Sequence, residues 1–209
     1  MRNIFFKSRW VFYIVFVLAV VLLVFRLCPA PQEIKVKEVE DGDTIVLSNG
    51  DRVRYIGIDT PETKCWLSWE ATKANEEMVK GKEITLRYGI DSLDDSGRVL
   101  AYVWVDSLLI NAELIKKGLA WVYTVSPNLD HREHFISLQK QAREKKLGVW
   151  SIPVSLETLY VATEKSREFI FHRPDCEAAK KIKSENLIRF ETRDEALDSG
   201  YRPCKKCWP

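Results

Sequence analysis

Apolar and polar positions are arranged along this chain in three different ways. Residues 10–25 (WVFYIVFVLAVVLLVF) are apolar without a break, so a helix built from them has no polar face. At 1.5 Å per residue that helix is about 24 Å long, a little under the hydrocarbon thickness of a bilayer, and a snorkelling Arg26 can extend it. From residue 33 to about residue 151 the pattern is broken into short segments. IKVKEV, DTIVL and RVRYIGI alternate or run apolar over strand lengths, and Asn49-Gly50 between the last two is a hairpin signal. Residues 68–81 predict a helix with Ser68 as N-cap and Gly81 as stop. KEITLRY and VLAYVWV predict further strands. Residues 108–118 predict a second helix ending on a glycine, and residues 131–148 a third, with the stripe Phe135, Leu138, Ala142 and basic residues in its last turns. Strands first, helices later and short antiparallel turns give an α+β class: a five-stranded Greek-key barrel of the oligonucleotide-binding (OB) type carrying three helices.

The pattern divides the chain into three expected parts: a cytoplasmic tip and transmembrane helix over 1–31, the barrel with its helices over 32–152, and a linker with a small domain over 153–209. Dividing the charge the same way changes its meaning. The formal net charge is +2, yet residues 1–31 carry four basic residues and no acid, 32–152 carry 17 basic against 20 acidic, and the rest 11 against 10. A protein that grips nucleic acid by bulk charge has a basic domain or stripe, and the central part is slightly acidic. Any phosphate affinity must therefore be local, built from a few arginines and a metal.

Arg2, Lys7 and Arg9 precede the apolar run, which places the N-terminus in the cytoplasm and the remainder across the membrane. The expected location is the cell membrane, single-pass, with the C-terminal parts outside the cytoplasm. The competing reading is a cleaved signal peptide and a secreted product. It meets Pro31 directly after the one small-residue site in RLCPAPQ, and Phe25, Arg26 and Leu27 before Cys28 lack the small residues of a lipoprotein signal. Cys28 and Cys65 stand alone, and both a disulfide between them and free thiols stay open.

Chemistry concentrates in VEDGDTIVL, VRYIGIDTPE and a later SGR. Asp43 and Asp59 sit at the edges of strands joined by the Asn49-Gly50 hairpin, so their carboxylates can converge on one hard cation, for which oxygen ligands suit calcium. Arg54 and Arg98 can each bond a phosphate in bidentate fashion. Glu62, across the Thr60-Pro61 turn from Asp59, is free to orient or deprotonate a water. Each residue alone has a plainer explanation. Asp41-Gly42 marks a turn, Arg98 after Gly97 reads as a surface arginine, and Asp94 and Asp95 read as solvated turn acids. Their coincidence in one barrel points to metal-assisted phosphodiester cleavage.

These motifs, with SGRVLAYVW, NAELIKKGLAWV and QAREKKLGVWS, make residues 34–151 resemble the staphylococcal nuclease (thermonuclease) family. The resemblance implies a calcium site of Asp43, Asp59 and the Thr60 carbonyl, with Asp41 behind it, catalytic arginines Arg54 and Arg98, and Glu62 as general base. It also implies cleavage of single-stranded DNA and RNA to 3′-phosphate products. WVYTVSPN (residues 121–128) departs from the paired tyrosines and lysine of the family's best-known member. That leaves Tyr123 as the aromatic candidate for substrate contact, whereas Trp121 reads as packing.

FHRPDC and RPCKKC supply His172, Cys176, Cys204 and Cys207 as two close pairs separated by a helical stretch, a structural-zinc spacing. With little apolar core of its own, this piece is expected to need the metal to fold, the alternative being two oxidised cysteines and a spare. Basic residues around the cluster, Arg173, Lys180, Lys181, Lys183, Arg202, Lys205 and Lys206, suggest contact with DNA. The segment resembles the zinc-binding domain of the Ada DNA-repair methyltransferase, whose first ligand is a methyl-accepting cysteine. His172 takes that place here, so methyl acceptance is not implied. The expected protein is a calcium-dependent nuclease with a structural zinc, a monomer with no protein partner implied. A non-catalytic nucleic-acid receptor, for example in DNA uptake, is the alternative.

Overall fold

Alternating side chains decide how the first strands close. In the computed structural model, which describes residues 34–62, 66–153 and 159–209, β1 (Ile34–Val39) pairs antiparallel with β2 (Thr44–Leu47), and β2 with β3 (Arg52–Tyr55). The expected hairpin joins β2 to β3, with the Gly50 N–H donating to the Leu47 carbonyl at 2.9 Å. Gly50 takes a φ of 94°, a conformation glycine adopts without a side-chain penalty. β1 also pairs with β5 (Glu83–Leu93), β5 pairs with β6 (Val99–Val105), and β6 returns parallel to β3. The ring is then closed on five strands, as the segment pattern predicts. Ile45, Val53, Ala101 and Val103 fill its interior with no exposed surface. Outside the ring, β4 (Gly57–Asp59) will pair with a later strand, and β7 (Leu108–Leu109) turns back on β6.

Three helices follow in the expected order with altered limits. α1 (Trp66–Val79) starts before Ser68, which is therefore inside the helix and buried, its carbonyl accepting from Thr72 Oγ1 at 2.9 Å, and does not cap it. The expected helix over 108–118 is shorter, because β7 takes its first residues and α2 (Ile110–Lys116) the rest. β8 (Trp121–Tyr123) then pairs antiparallel with β4. α3 (Arg132–Glu144) buries Phe135 and Ala142 as its stripe predicts, half-buries Leu138, and adds Gln139, whose Oε1 accepts the Val122 N–H at 2.8 Å.

The C-terminal segment forms a second sheet of β9 (Tyr160–Thr163), β10 (Ile170–His172), β11 (Leu187–Phe190) and β12 (Arg202–Pro203), in the order β11-β9-β10-β12. α4 (Arg193–Asp198) is capped by Thr192, whose Oγ1 accepts the Glu195 N–H at 3.0 Å. The small core expected here is supplemented by a shared one. Leu67, Trp121, Ala142 and Trp150 pack with Tyr160, Phe171, Leu197 and Tyr201 in one cluster, which confirms Trp121 as a packing residue. Arg143 on α3 adds ion pairs to Asp194 at 3.1 Å and Asp198 at 2.7 Å. Residues Ile34–Pro209 are accordingly one compact unit. The expected membrane segment, residues 10–25, and Cys28 and Cys65 lie outside the described residues. Among those described, no helix is long and apolar enough to cross a membrane.

Candidate active site and metal centre

The loop between β1 and β2 can carry Asp43 inward only because Gly42 lacks a side chain. A Cβ there would lie 2.7 Å from that of Ala71 and 2.8 Å from the Thr60 side chain. α1 holds this loop, with Asn75 Nδ2 donating to the Asp41 carbonyl at 3.1 Å while Asn75 Oδ1 accepts from the Tyr55 hydroxyl at 2.8 Å. Asp41 in turn accepts the Asp43 N–H at 2.9 Å, a supporting position behind Asp43. The Asp43 Oδ2 atom accepts from the Thr60 N–H at 2.7 Å and from its hydroxyl at 3.0 Å, and this ties the loop to the end of β4. Burial pushes the Asp43 carboxyl up, against the pull of Arg54.

Arg54, on β3, lies between the two buried aspartates, 3.2 Å from Asp43 and 3.3 Å from Asp59. Burial alone would depress its guanidinium, but Asp43 and Asp59 outweigh that and hold its pKa above the ordinary value. Asp59 Oδ2 is buried without an aligned hydrogen-bond donor, although Lys205 Nζ is 3.0 Å away. A buried carboxylate oxygen of this kind, beside a second carboxylate whose charge burial disfavours, is chemically suited to a hard cation. Asp43 and Asp59 thus offer carboxylate oxygens that suit a hard divalent cation.

Glu62 is at the rim of the same cleft, its side chain 73% exposed. A hydrogen bond from Lys205, reinforced by its charge, holds the Glu62 carboxyl below the usual range. Arg98 lines the same cleft and donates through Nε to Asp94 Oδ2 at 2.7 Å. Asp94 is therefore not the solvated turn acid expected. Burial opposes its charge, but hydrogen bonds from the Arg98 backbone and side chain hold its carboxyl below the usual range. Tyr123 also lines the cleft, with the Arg202 guanidinium 4.5 Å from its ring centre. Burial and the nearby Glu168 carboxylate push its phenol up to about 12. Asp41, Asp43, Arg54, Asp59, Thr60, Glu62, Arg98 and Tyr123 all line one cleft of about 620 Å³.

The second cluster is made by β10, the turn after it and the turn after β12. His172, Cys176, Cys204 and Cys207 bring ligand atoms within 4.8 Å of one another. The three cysteines are free thiols, so the disulfide alternative fails for them. Burial, with some help from Arg202, lowers the His172 pKa and favours the neutral, ligating imidazole. Burial and the adjacent cysteines push the Cys207 thiol up to about 12. Thiols this close cannot all ionise unless a cation neutralises them, and a sulfur-and-imidazole donor set suits zinc.

A model of the staphylococcal nuclease homologues matches residues 52–152, and one of the metal binding domain of Ada matches residues 157–209. The thermonuclease of Staphylococcus intermedius is 36% identical over 124 residues, which cover 55% of this chain and 74% of that protein. The chain belongs to the staphylococcal nuclease family. Two Bacillus subtilis relatives, endonuclease YncB and the SPbeta prophage-derived endonuclease YokF, are 41% and 40% identical over 122 residues. Those matches take in 53% of this chain and 58% and 41% of the relatives, so the chain spans about half their length.

Within this staphylococcal nuclease homologue the sequence left three site residues unassigned. Arg202 and Lys205, read as basic residues flanking the cysteines and suited to DNA, turn onto the barrel's acids. Arg202 Nη1 is 3.6 Å from Asp59 Oδ2, and Lys205 Nζ contacts both Asp59 and Glu62. No local signal marks that choice, because Lys205 is 146 residues from Asp59 along the chain. Asp94 did leave a signal: it lies four residues before Arg98 in a turn, close enough to hold the arginine it faces.

Proposed function

We propose that the chain is a nuclease that hydrolyses phosphodiester bonds of single-stranded DNA and RNA, uses calcium, and leaves 3′-phosphate ends. The observation that carries this reading is the convergence of Asp43, Asp59, Arg54, Glu62 and Arg98 on one cleft. Asp43, Asp59 and the Thr60 carbonyl would hold the calcium ion, which when bound supplies Lewis-acid polarisation and charge neutralisation at the phosphate. Glu62 accepts a proton from the attacking water as its oxygen bonds to phosphorus. Arg54 and Arg98 donate to the phosphate oxygens on which charge accumulates. The bond from phosphorus to the 5′ oxygen breaks and that oxygen takes up a proton, so the products are a 3′-phosphate and a 5′-hydroxyl. Asp94 positions Arg98 in the cleft through its bond to Nε.

The cluster of His172, Cys176, Cys204 and Cys207 is proposed to hold a structural zinc. The domain plan stays as the sequence suggests, with residues 1–31 as a membrane anchor and the catalytic part outside the cytoplasm, or secreted once that segment is cleaved. A cleavage assay tests the activity: the full chain is incubated with end-labelled single-stranded DNA and RNA in calcium or in a calcium chelator. Calcium-dependent cutting with 3′-phosphate ends is expected. Retention of intact strands on the protein in calcium would make it a receptor instead.

A further inference from the structure

The cleft contains a cation that the barrel does not itself supply. Lys205 comes from the Cys204–Cys207 turn, and its Nζ lies 3.1 Å from Oδ1 and 3.0 Å from Oδ2 of Asp59 while it also donates to Glu62 Oε1. The ammonium donates to Asp59 Oδ1 and Glu62 Oε1 and sits in charge contact with Asp59 Oδ2. The turn that carries it is tied down through the neighbouring Cys204. The Cys204 N–H donates to the Phe171 carbonyl at 3.0 Å and the Trp208 N–H to the Cys204 carbonyl at 2.9 Å, while the Lys206 N–H points at Cys204 Sγ at 3.4 Å. Only 33% of the Lys205 side chain is exposed. Arg202, on β12, adds a second positive charge 3.6 Å from Asp59 Oδ2.

We propose that Lys205 is a further residue of the nuclease site, contributed by the cysteine-bearing segment, and that it sets the affinity of that site for its divalent cation by competing for the Asp59 carboxylate. This rests on the nuclease reading, since the same carboxylate must serve the ion. A divalent cation that takes up Asp59 either displaces the ammonium, breaking its contacts with two acids, or stays beside it against like-charge repulsion. Both routes weaken cation binding, and both disappear when the lysine loses its charge. The segment that gathers the four metal-ligating side chains thereby tunes the cation demand of a site on the barrel.

The test is calcium titration of the full chain by calorimetry, comparing wild type with Lys205→Met and with Lys206→Met, whose exposed side chain on the same turn serves as a control. Lys205→Met is expected to tighten calcium binding roughly tenfold or more, with Lys206→Met within about threefold of wild type, since an exposed charge is screened. Unchanged or weaker binding in Lys205→Met overturns the inference, as does equal tightening in both variants or no binding in any of the three proteins. Cleavage of single-stranded DNA by the wild type is measured separately. A wild type that binds calcium but does not cut removes the nuclease reading, while the difference between isotherms still decides the role of Lys205.

Discussion

At the barrel rim the donors of the protein already hold the buried carboxylates in place, whereas at the cysteine cluster the thiols and the imidazole mostly face one another. Asp43 is fixed by the N–H and hydroxyl of Thr60 and by Arg54, and Asp41 supports its backbone. The thiols have weaker support, such as the Arg173 N–H to Cys207 Sγ and the Lys206 N–H to Cys204 Sγ, each at 3.4 Å. The contrast separates two uses of a metal. A site fixed by hydrogen bonds keeps its shape while an ion comes and goes, and the ion can be spent on chemistry. A site of facing thiols needs the ion as part of the structure.

Removing one metal at a time should produce the largest difference. A zinc-selective chelator is expected to abolish the protease resistance of the C-terminal segment, whereas a calcium-selective chelator leaves the digestion pattern unchanged. Equal sensitivity to both would erase the distinction. Arg54→Ala should be the most damaging single change at the rim, because it leaves Asp43 and Asp59 facing each other in a buried site. A loss of about 3–5 kcal/mol in denaturant unfolding is expected, besides loss of cleavage. Leu197→Ala should loosen the shared core by about 2–5 kcal/mol, since Leu197 is fully buried between the two sheets' helices and strands. Zinc loading should be weakened but not lost, and unaltered stability would show that the shared cluster does not hold the segment.

The smallest effect is expected from Asp94→Asn, which frees Arg98 without removing it. Cleavage should fall roughly tenfold, within the range for a misplaced catalytic group. There is also an acid-side signature. The Asp94 carboxyl is held below its unfolded value, so its contribution to stability is full above the ordinary carboxylate range and fades as pH falls through the folded value. The variant should therefore show a shallower loss of stability with acid than wild type. Identical acid profiles would mean that the Arg98 pair contributes nothing.

Local patterns carried the barrel well. Alternation in DTIVL and RVRYIGI with Asn49-Gly50 between them predicted a hairpin, and the structure forms one, with Ile45 opposite Val53. The hairpin alone did not bring Asp43 and Asp59 together: RVRYIGI splits into β3 and β4, Asp59 ends β4 outside the hairpin, and the Thr60 N–H and hydroxyl bonds to Asp43 join the two. Helix limits were less legible: Ser68 carries an N-cap side chain, yet α1 starts before it, since buried Leu67 packs in the shared core. Long-range polar choices were not legible at all. Asn111 and Gln139 are buried because each serves a backbone N–H, of Val103 and of Val122, and composition cannot reveal such a partner. Lys205 illustrates the limit best, since only the packing of one segment against the other turns a zinc-flanking lysine toward Glu62.

The most direct test of the central claim compares wild type with Glu62→Gln on end-labelled single-stranded DNA in calcium, with strand binding measured in parallel. Because this side chain is 73% exposed, the variant should fold and bind DNA like wild type. Its cutting should be about 10²- to 10⁴-fold slower, the usual worth of a positioned general base. Equal cutting by the two proteins would contradict the account and place the chemistry outside the cleft.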